Sequence, residues 1–204
     1  MKKLKTYKQL FEQRKISSNA DINECIDNND LEKLEKMLKN DKNILKNINF
    51  EFDSANPLFF AIREGKIDFV KLLVENNYYL GPQGKNAYSG IIYSLTHRYK
   101  IFKYIVENSK NYVNTEDIYG YTPLMAVFED TKNVYSIGEN LMKVLFKNGA
   151  DPFFKTKLRN MTLFDLIEKS DHDADVKSLE IFFKKFPEYK EQYNKYKKTK
   201  EFNL

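Results

Sequence analysis

A chain of 204 residues with 42% hydrophobic residues, among them 14 Tyr and 16 Phe, has enough apolar material to bury a core. No apolar run is longer than the five residues Leu58–Ile62, which excludes a membrane span of about 20 apolar residues, and the single cysteine, Cys25, excludes an internal disulfide. The net charge of +5 sits at the ends: residues 1–18 carry six Lys/Arg against one Glu, residues 184–204 carry seven Lys against three Glu, and the body between them is left at −4, which argues against a phosphate-binding folded surface.

In chain order, residues 1–18 begin with the positive charges of a secretion signal but lack the apolar stretch and small-residue cleavage site that would follow, so a cytoplasmic location is expected. Cys25 to Leu38 overlays Ala61 to Val74 at an offset of 36, with Asn29 where the later segment has Gly65. The next unit opens on Asn56-Pro57-Leu58, an N-cap followed by a proline at the first helical position, where its missing N–H costs nothing. Gly65 marks a helix stop, and Ile67, Val70, Leu73 and Val74 fall on one face of a second short helix, so residues 56–77 are expected to form a helix pair.

The same opening returns as Ser89-Gly90-Ile91 and Thr122-Pro123-Leu124, each 33 residues on from the last. The unit at 89 continues through Ile101 to Asn108 but lacks the Thr-Pro pair, and its Tyr93-Ser94 stands where small residues are expected, which predicts the weakest junction of the series. The unit at 122 is preceded by Asp117-Ile118-Tyr119-Gly120-Tyr121 and runs to Gly149, with about six extra residues within Glu129–Glu139. A last unit starts at Asn160-Met161-Thr162-Leu163, carries an insertion around Ser170–Asp175 and continues through Leu179, Phe182 and Phe183. Insertions in a stack of repeats are expected to emerge as loops on one side. Beyond it, Tyr189, Tyr193 and Tyr196 are spaced at 4 and 3, a stripe that a short terminal helix could lay over the last unit.

These segments resemble the ankyrin repeat, whose pattern opens Asp-x-x-Gly-x-Thr-Pro-Leu-His and closes on Gly-Ala-Asp. Asp117 to Leu124 meets that opening at every fixed position, Met125 replaces the family's His, and Gly149-Ala150-Asp151 supplies the close. The resemblance covers about residues 19–187 in about five repeats, two strong and three degenerate, and implies an all-α helical solenoid of helix-turn-helix pairs. Residues 1–18 then form a basic N-terminal segment and 188–204 a basic C-terminal helix or tail.

Ankyrin proteins generally bind protein partners on a concave face made of hairpin tips and the exposed side of each first helix. Carried over position by position, this selects Phe52 and Asp53, Tyr88, Ile118, Tyr119 and Tyr121, and Arg159 and Met161 at the tips, with Arg63, Glu64, Glu129 and Asp130 on the first helices. Some of these aromatic residues could instead cover one another between neighbouring hairpins. The implied role is a non-catalytic protein-binding module, monomeric in isolation and without cofactor or metal. A bacterial immunity protein neutralising a cognate toxin is the role carried forward. The alternatives are a secreted effector or host-interaction protein, or a binder of nucleic acid or anionic surfaces through the basic ends.

Signs of catalysis dissolve on inspection. Asp171-His172-Asp173-Ala174-Asp175 alternates acidic residues like a calcium loop, but Val176 and Phe182 stand where such a loop needs its glycine and its closing glutamate. Gly84-Lys85 lacks the spacing and the following Ser/Thr of a phosphate loop. Cys25 falls on the inner stripe of its unit, and His97 and His172 belong to different units, so no nucleophile–base pair is visible.

Overall fold

Each of the four later units starts its first helix on a side chain that satisfies an otherwise open amide, one of the four free N–H groups at a helix start. Asn56 Oδ1 accepts from the Phe59 amide at 3.1 Å, Ser89 Oγ from Ile92 at 3.2 Å, Thr122 Oγ1 from Met125 at 3.3 Å and Thr162 Oγ1 from Asp165 at 3.2 Å. The markers read from sequence are therefore caps, including Ser89, where the repeat pattern is poorest. In this computed structural model, residues 19–41, 43–47, 56–82, 88–95, 99–130, 135–173 and 178–202 are described.

The helices alternate as first and second members of pairs. They are α1 (residues 19–27) with α2 (Leu31–Asn40), α3 (Pro57–Arg63) with α4 (Ile67–Glu75), α5 (Gly90–Leu95) with α6 (Tyr99–Asn108), α7 (Pro123–Asp130) with α8 (Tyr135–Lys147) and α9 (Leu163–Asp173) with α10 (Ser178–Lys185). A terminal α11 (Lys190–Phe202) follows. First helices touch in the order α3, α5, α7, α9, and second helices in the order α2, α4, α6, α8. The described residues contain helices and turns and no β-strand. The fold is thus the all-α solenoid expected.

Helix ends repeat as regularly as helix starts. Asn29 (φ 56°) and Gly65 (φ 71°) occupy the same left-handed position, and the residue after each closes the turn with a bond five residues back, Asp30 N–H to Cys25 O at 2.8 Å and Lys66 N–H to Ala61 O at 2.9 Å. Asn77 and Gly149 end α4 and α8 in the same way, with Tyr78 bonding Leu73 and Ala150 bonding Leu145 at 3.0 Å each. Between these ends the apolar stripes meet in one continuous core that includes Cys25, Leu58, Phe59, Leu73, Phe102, Leu124, Leu145 and Phe164.

Three departures from the plain repeat have local causes. Tyr93, bulky where a small residue was expected, lies flat on Phe59 of the preceding repeat with ring centroids 4.1 Å apart and planes 6° from parallel, while Ser94 Oγ donates to Ile91 O at 2.7 Å. The insertions are not simply loops: α8 has 13 residues against 9 in α4, and α9 has 11 against 7 in α3, so residues 135–139 and 170–173 lengthen helices. Residues 131–134 and 174–177, the remainder of both insertions, lie outside the described residues. The extension of α8 carries Glu139, which pairs with Lys143 at 2.6 Å and with Lys185 of α10. The two ammonium groups, Lys143 foremost, hold its carboxyl down to about 2.

At the C-terminal end, α11 lies over the last pair. Tyr193 is buried against Phe164, with centroids 5.0 Å apart, and Tyr189 packs on Phe146 at 4.7 Å. Polar contacts frame these rings: Tyr193 donates to Glu168, Tyr196 donates to Asp165 at 2.9 Å, and Lys200 pairs with Asp165 at 2.6 Å.

Candidate protein-binding groove

The tip that precedes α7 is built by one carboxylate. Asp117 Oδ1 accepts from the amides of Tyr119 and Tyr121 at 2.9 Å each, while the backbone of Asp117 donates to Tyr121 O at 2.9 Å and accepts from Gly120 at 3.1 Å. Such a tight return needs a left-handed residue, which Gly120 supplies at φ 75°. Burial pushes the Asp117 carboxyl above its ordinary value, against the lowering effect of the Tyr121 and Tyr119 amides and the Arg159 charge. This construction turns Ile118 and Tyr119 outward, with 46% and 45% of their surface exposed.

The following tip buttresses this one. Glu116 accepts from the amides of Lys157 at 2.7 Å and Leu158 at 3.2 Å, and Asn114 donates to Gly149 O at 3.0 Å while accepting from Asp151 N–H at 2.9 Å. Arg159 donates to the carbonyl of Tyr119 and lays its guanidinium over the Tyr121 ring, 4.1 Å from the centroid.

Between the third and fourth repeats these elements enclose a groove of about 520 Å³, lined by Tyr88, Ile92, Tyr93, Leu95, Asp117, Tyr119, Tyr121, Ala126 and Glu129. Its size falls within the roughly 300–1,000 Å³ of ligand-binding clefts. Tyr88 and Tyr119 face each other across consecutive repeats with ring centroids 6.1 Å apart. The smallest side chain of its lining is Ala126. Phe60, Tyr93, Ala126 and Leu166 occupy the same place in α3, α5, α7 and α9, four residues past each cap, and Ala126 is the smallest of the four.

Four of the residues selected from sequence, Tyr88, Tyr119, Tyr121 and Glu129, meet in this groove. Tyr121 is half-buried against the core, so it is also a packing residue of the tip, with Arg159 as its cover. Ile118 is exposed on the same tip. Met161 is half-buried and lines a separate hollow of about 490 Å³ together with Asp165, Tyr196 and Lys200. Arg63 and Glu64 pair with each other at 3.1 Å at the end of α3, with Arg63 over Phe60 at 5.1 Å, and do not line the groove. Asp130 ends α7 with its side chain outside the described residues, as are Phe52 and Asp53 altogether. Ile92, Tyr93, Leu95, Asp117 and Ala126 were missed as groove residues by the sequence reading, although the 33-residue register places Tyr93 and Ala126 at one repeat position.

Among the described residues no group of three or more His, Cys, Asp and Glu is placed to hold a metal. Cys25 donates from Sγ to Met37 Sδ at 3.6 Å in the core, where burial pushes its thiol up, away from a reactive thiolate.

A family model described as ankyrin repeats in three copies matches residues 22–117. These residues are ankyrin repeats. The matched span ends where the tip of the fourth repeat begins, and that repeat carries the fullest form of the motif. Among solved structures, the ankyrin-repeat chain is similar to a chain of the complex of the Bd0816 predatory endopeptidase from Bdellovibrio bacteriovorus with immunity protein Bd3460, at 20% identity and a TM-score of 0.45, over 78% of this chain and 96% of that one. It is also similar to EF0377, an ankyrin repeat protein, at 17% identity and a TM-score of 0.40, over 75% of this chain and 92% of that one. No curated protein matches the sequence.

Proposed function

We propose that this ankyrin-repeat protein binds a partner protein in the groove between its third and fourth repeats, with Tyr119 and Tyr88 as the anchoring side chains and no catalytic step. The observation that carries this reading is the conjunction of a concave, largely apolar hollow with two partly exposed tyrosine rings at its mouth, held by a tip that the Asp117 carboxylate braces through the Tyr119 and Tyr121 amides. Rings of this kind bury much area while surrendering few rotamers, and a preformed tip removes the ordering cost that weakens loop-mediated binding. The repeat fold is generally an interaction fold, which agrees with the absence of a nucleophile–base pair in the sequence.

Within this reading the partner is a cognate toxin, and the chain acts as its immunity protein by covering a functional surface. The test is a titration calorimetry series with a toxin encoded beside the gene for this chain, using the wild type and Tyr119→Ala. Loss of affinity by about tenfold or more is expected, as for a central aromatic anchor. An unchanged affinity removes the groove from the binding site, and absence of any binding removes the immunity role.

A further inference from the structure

We infer that the tip of the fifth repeat makes a second contact, in which Leu158 enters an apolar pocket of the partner protein and the ammonium groups of Lys155 and Lys157 meet carboxylates on the rim of that pocket. This inference rests on the reading of the chain as a protein-binding module and names the chemistry of the partner's surface. Leu158 is 64% exposed, the highest figure among the exposed large hydrophobic residues described, yet its backbone is firmly held. Glu116 of the preceding tip accepts from the Lys157 and Leu158 amides, and the hairpin closes through Thr156 N–H to Met161 O and Asn160 N–H to Thr156 O, both at 2.9 Å. The Leu158 Cβ rests against Gly120, where an added Cβ would meet it at 3.0 Å. An apolar side chain carried on a backbone fixed in this way gives up little further freedom when a pocket closes over it.

The charges around Leu158 do not cancel at the surface. Every carboxylate of the two tips is turned onto backbone amides: Glu116 through both oxygens, Asp117 onto Tyr119 and Tyr121, and Asp151 onto Phe153 at 2.8 Å. Asp165, which shares the adjoining hollow with Lys155, is held by Lys200 and Tyr196. Arg159 is folded over Tyr121. Lys155 and Lys157 are exposed and have no ion-pair partner among the described residues, which leaves positive potential beside the leucine. A phosphate surface would need open amides to cradle it, but those of Thr156, Lys157, Leu158 and Asn160 are already donated. The tip therefore fits carboxylates reached by long side chains around an apolar pocket, the arrangement of a buried anchor inside a polar rim.

The experiment titrates the full chain with the toxin encoded beside its gene, by calorimetry at low and at high salt, and with phosphatidylglycerol vesicles as a second probe. Leu158→Ser is expected to weaken toxin binding by about tenfold at both salt concentrations, as for an apolar anchor. Lys155→Gln combined with Lys157→Gln is expected to weaken it by about threefold or more at low salt and to flatten its salt dependence, and Lys157→Glu to weaken it further. Melting temperatures equal to the wild type keep these comparisons on a folded protein. Unchanged affinity in Leu158→Ser, or equal or tighter binding by Lys157→Glu, overturns the inference; if Tyr119→Ala still weakens binding, the groove stands without it. Weakening by Leu158→Ser and the lysine variants but not by Tyr119→Ala supports the fifth tip and removes the groove. Absence of toxin binding overturns the inference, and vesicle binding that the double lysine variant abolishes then assigns the two lysines to a phosphate surface.

Discussion

Tyr119 and Tyr121 flank one glycine yet do different work. Tyr119 is partly exposed over the groove, so Tyr119→Ala is expected to change the unfolding free energy by no more than about 0.5 kcal/mol while weakening the partner complex. Tyr121 packs on the core beneath Arg159, and Tyr121→Ala is expected to destabilise the chain by about 2 kcal/mol, measured by urea denaturation. Gly120 belongs with Tyr121: a Cβ added there meets Arg159 Cγ at 2.9 Å on a backbone at φ 75°, so Gly120→Ala is expected to cost about 1–2 kcal/mol. The caps were legible in the sequence because Asn56, Ser89, Thr122 and Thr162 are short polar residues placed before apolar runs. The two roles of the tyrosines were not, since exposure depends on Arg159, 40 residues away, and no local pattern records which ring it covers.

At the scale of the helix, α11 is a cap whose attachment is partly electrostatic. Burial alone would raise the Asp165 carboxyl, but Lys200, the Thr162 amide and the Tyr196 hydroxyl together hold it below its ordinary value. A carboxyl depressed in the native state stabilises fully above its unfolded pKa of about 3.9, and this stabilisation is lost as the pH falls through the native value. The melting temperature is therefore expected to drop below about pH 4 by less in Asp165→Asn than in the wild type, with the variant less stable near neutrality. Removal of residues 188–204 is expected to lower the melting temperature while the helical spectrum largely persists, because Phe164 and Phe182 lose the cover of Tyr193 and Tyr189 but the other repeats keep their neighbours. The tyrosine spacing made this helix foreseeable. The lengthened α8 and α9 were not, because extra residues between two helical patterns read equally well as loop or as additional helical turns.

The whole molecule is a row of related units, and the proposed binding groove lies at the joint between the third and the fourth. Ala126 stands where Phe60 and Tyr93 carry rings and Leu166 a branched chain, and Ala126→Phe is expected to fill the groove, leave the melting temperature equal or higher, and abolish partner binding. A fall in stability would show instead that the hollow is too small for a ring. The sequence register contained this difference, but seeing it as an opening required the packing of Tyr93 on Phe59, which no local pattern records. That stack ties the groove to the mechanics of the row. One wall, Tyr88 and Tyr93, belongs to the third repeat and the other, Tyr119 and Tyr121, to the fourth, so the groove straddles the joint between two repeats. Phe59 of the second repeat backs one wall through its stack with Tyr93 without lining the groove, and Arg159 braces the other from the fifth. The groove is thus supported from the second and fifth repeats at once, and under the proposed function a change as remote as Phe59→Leu is expected to alter partner affinity, measured by titration calorimetry, without touching anything that is held.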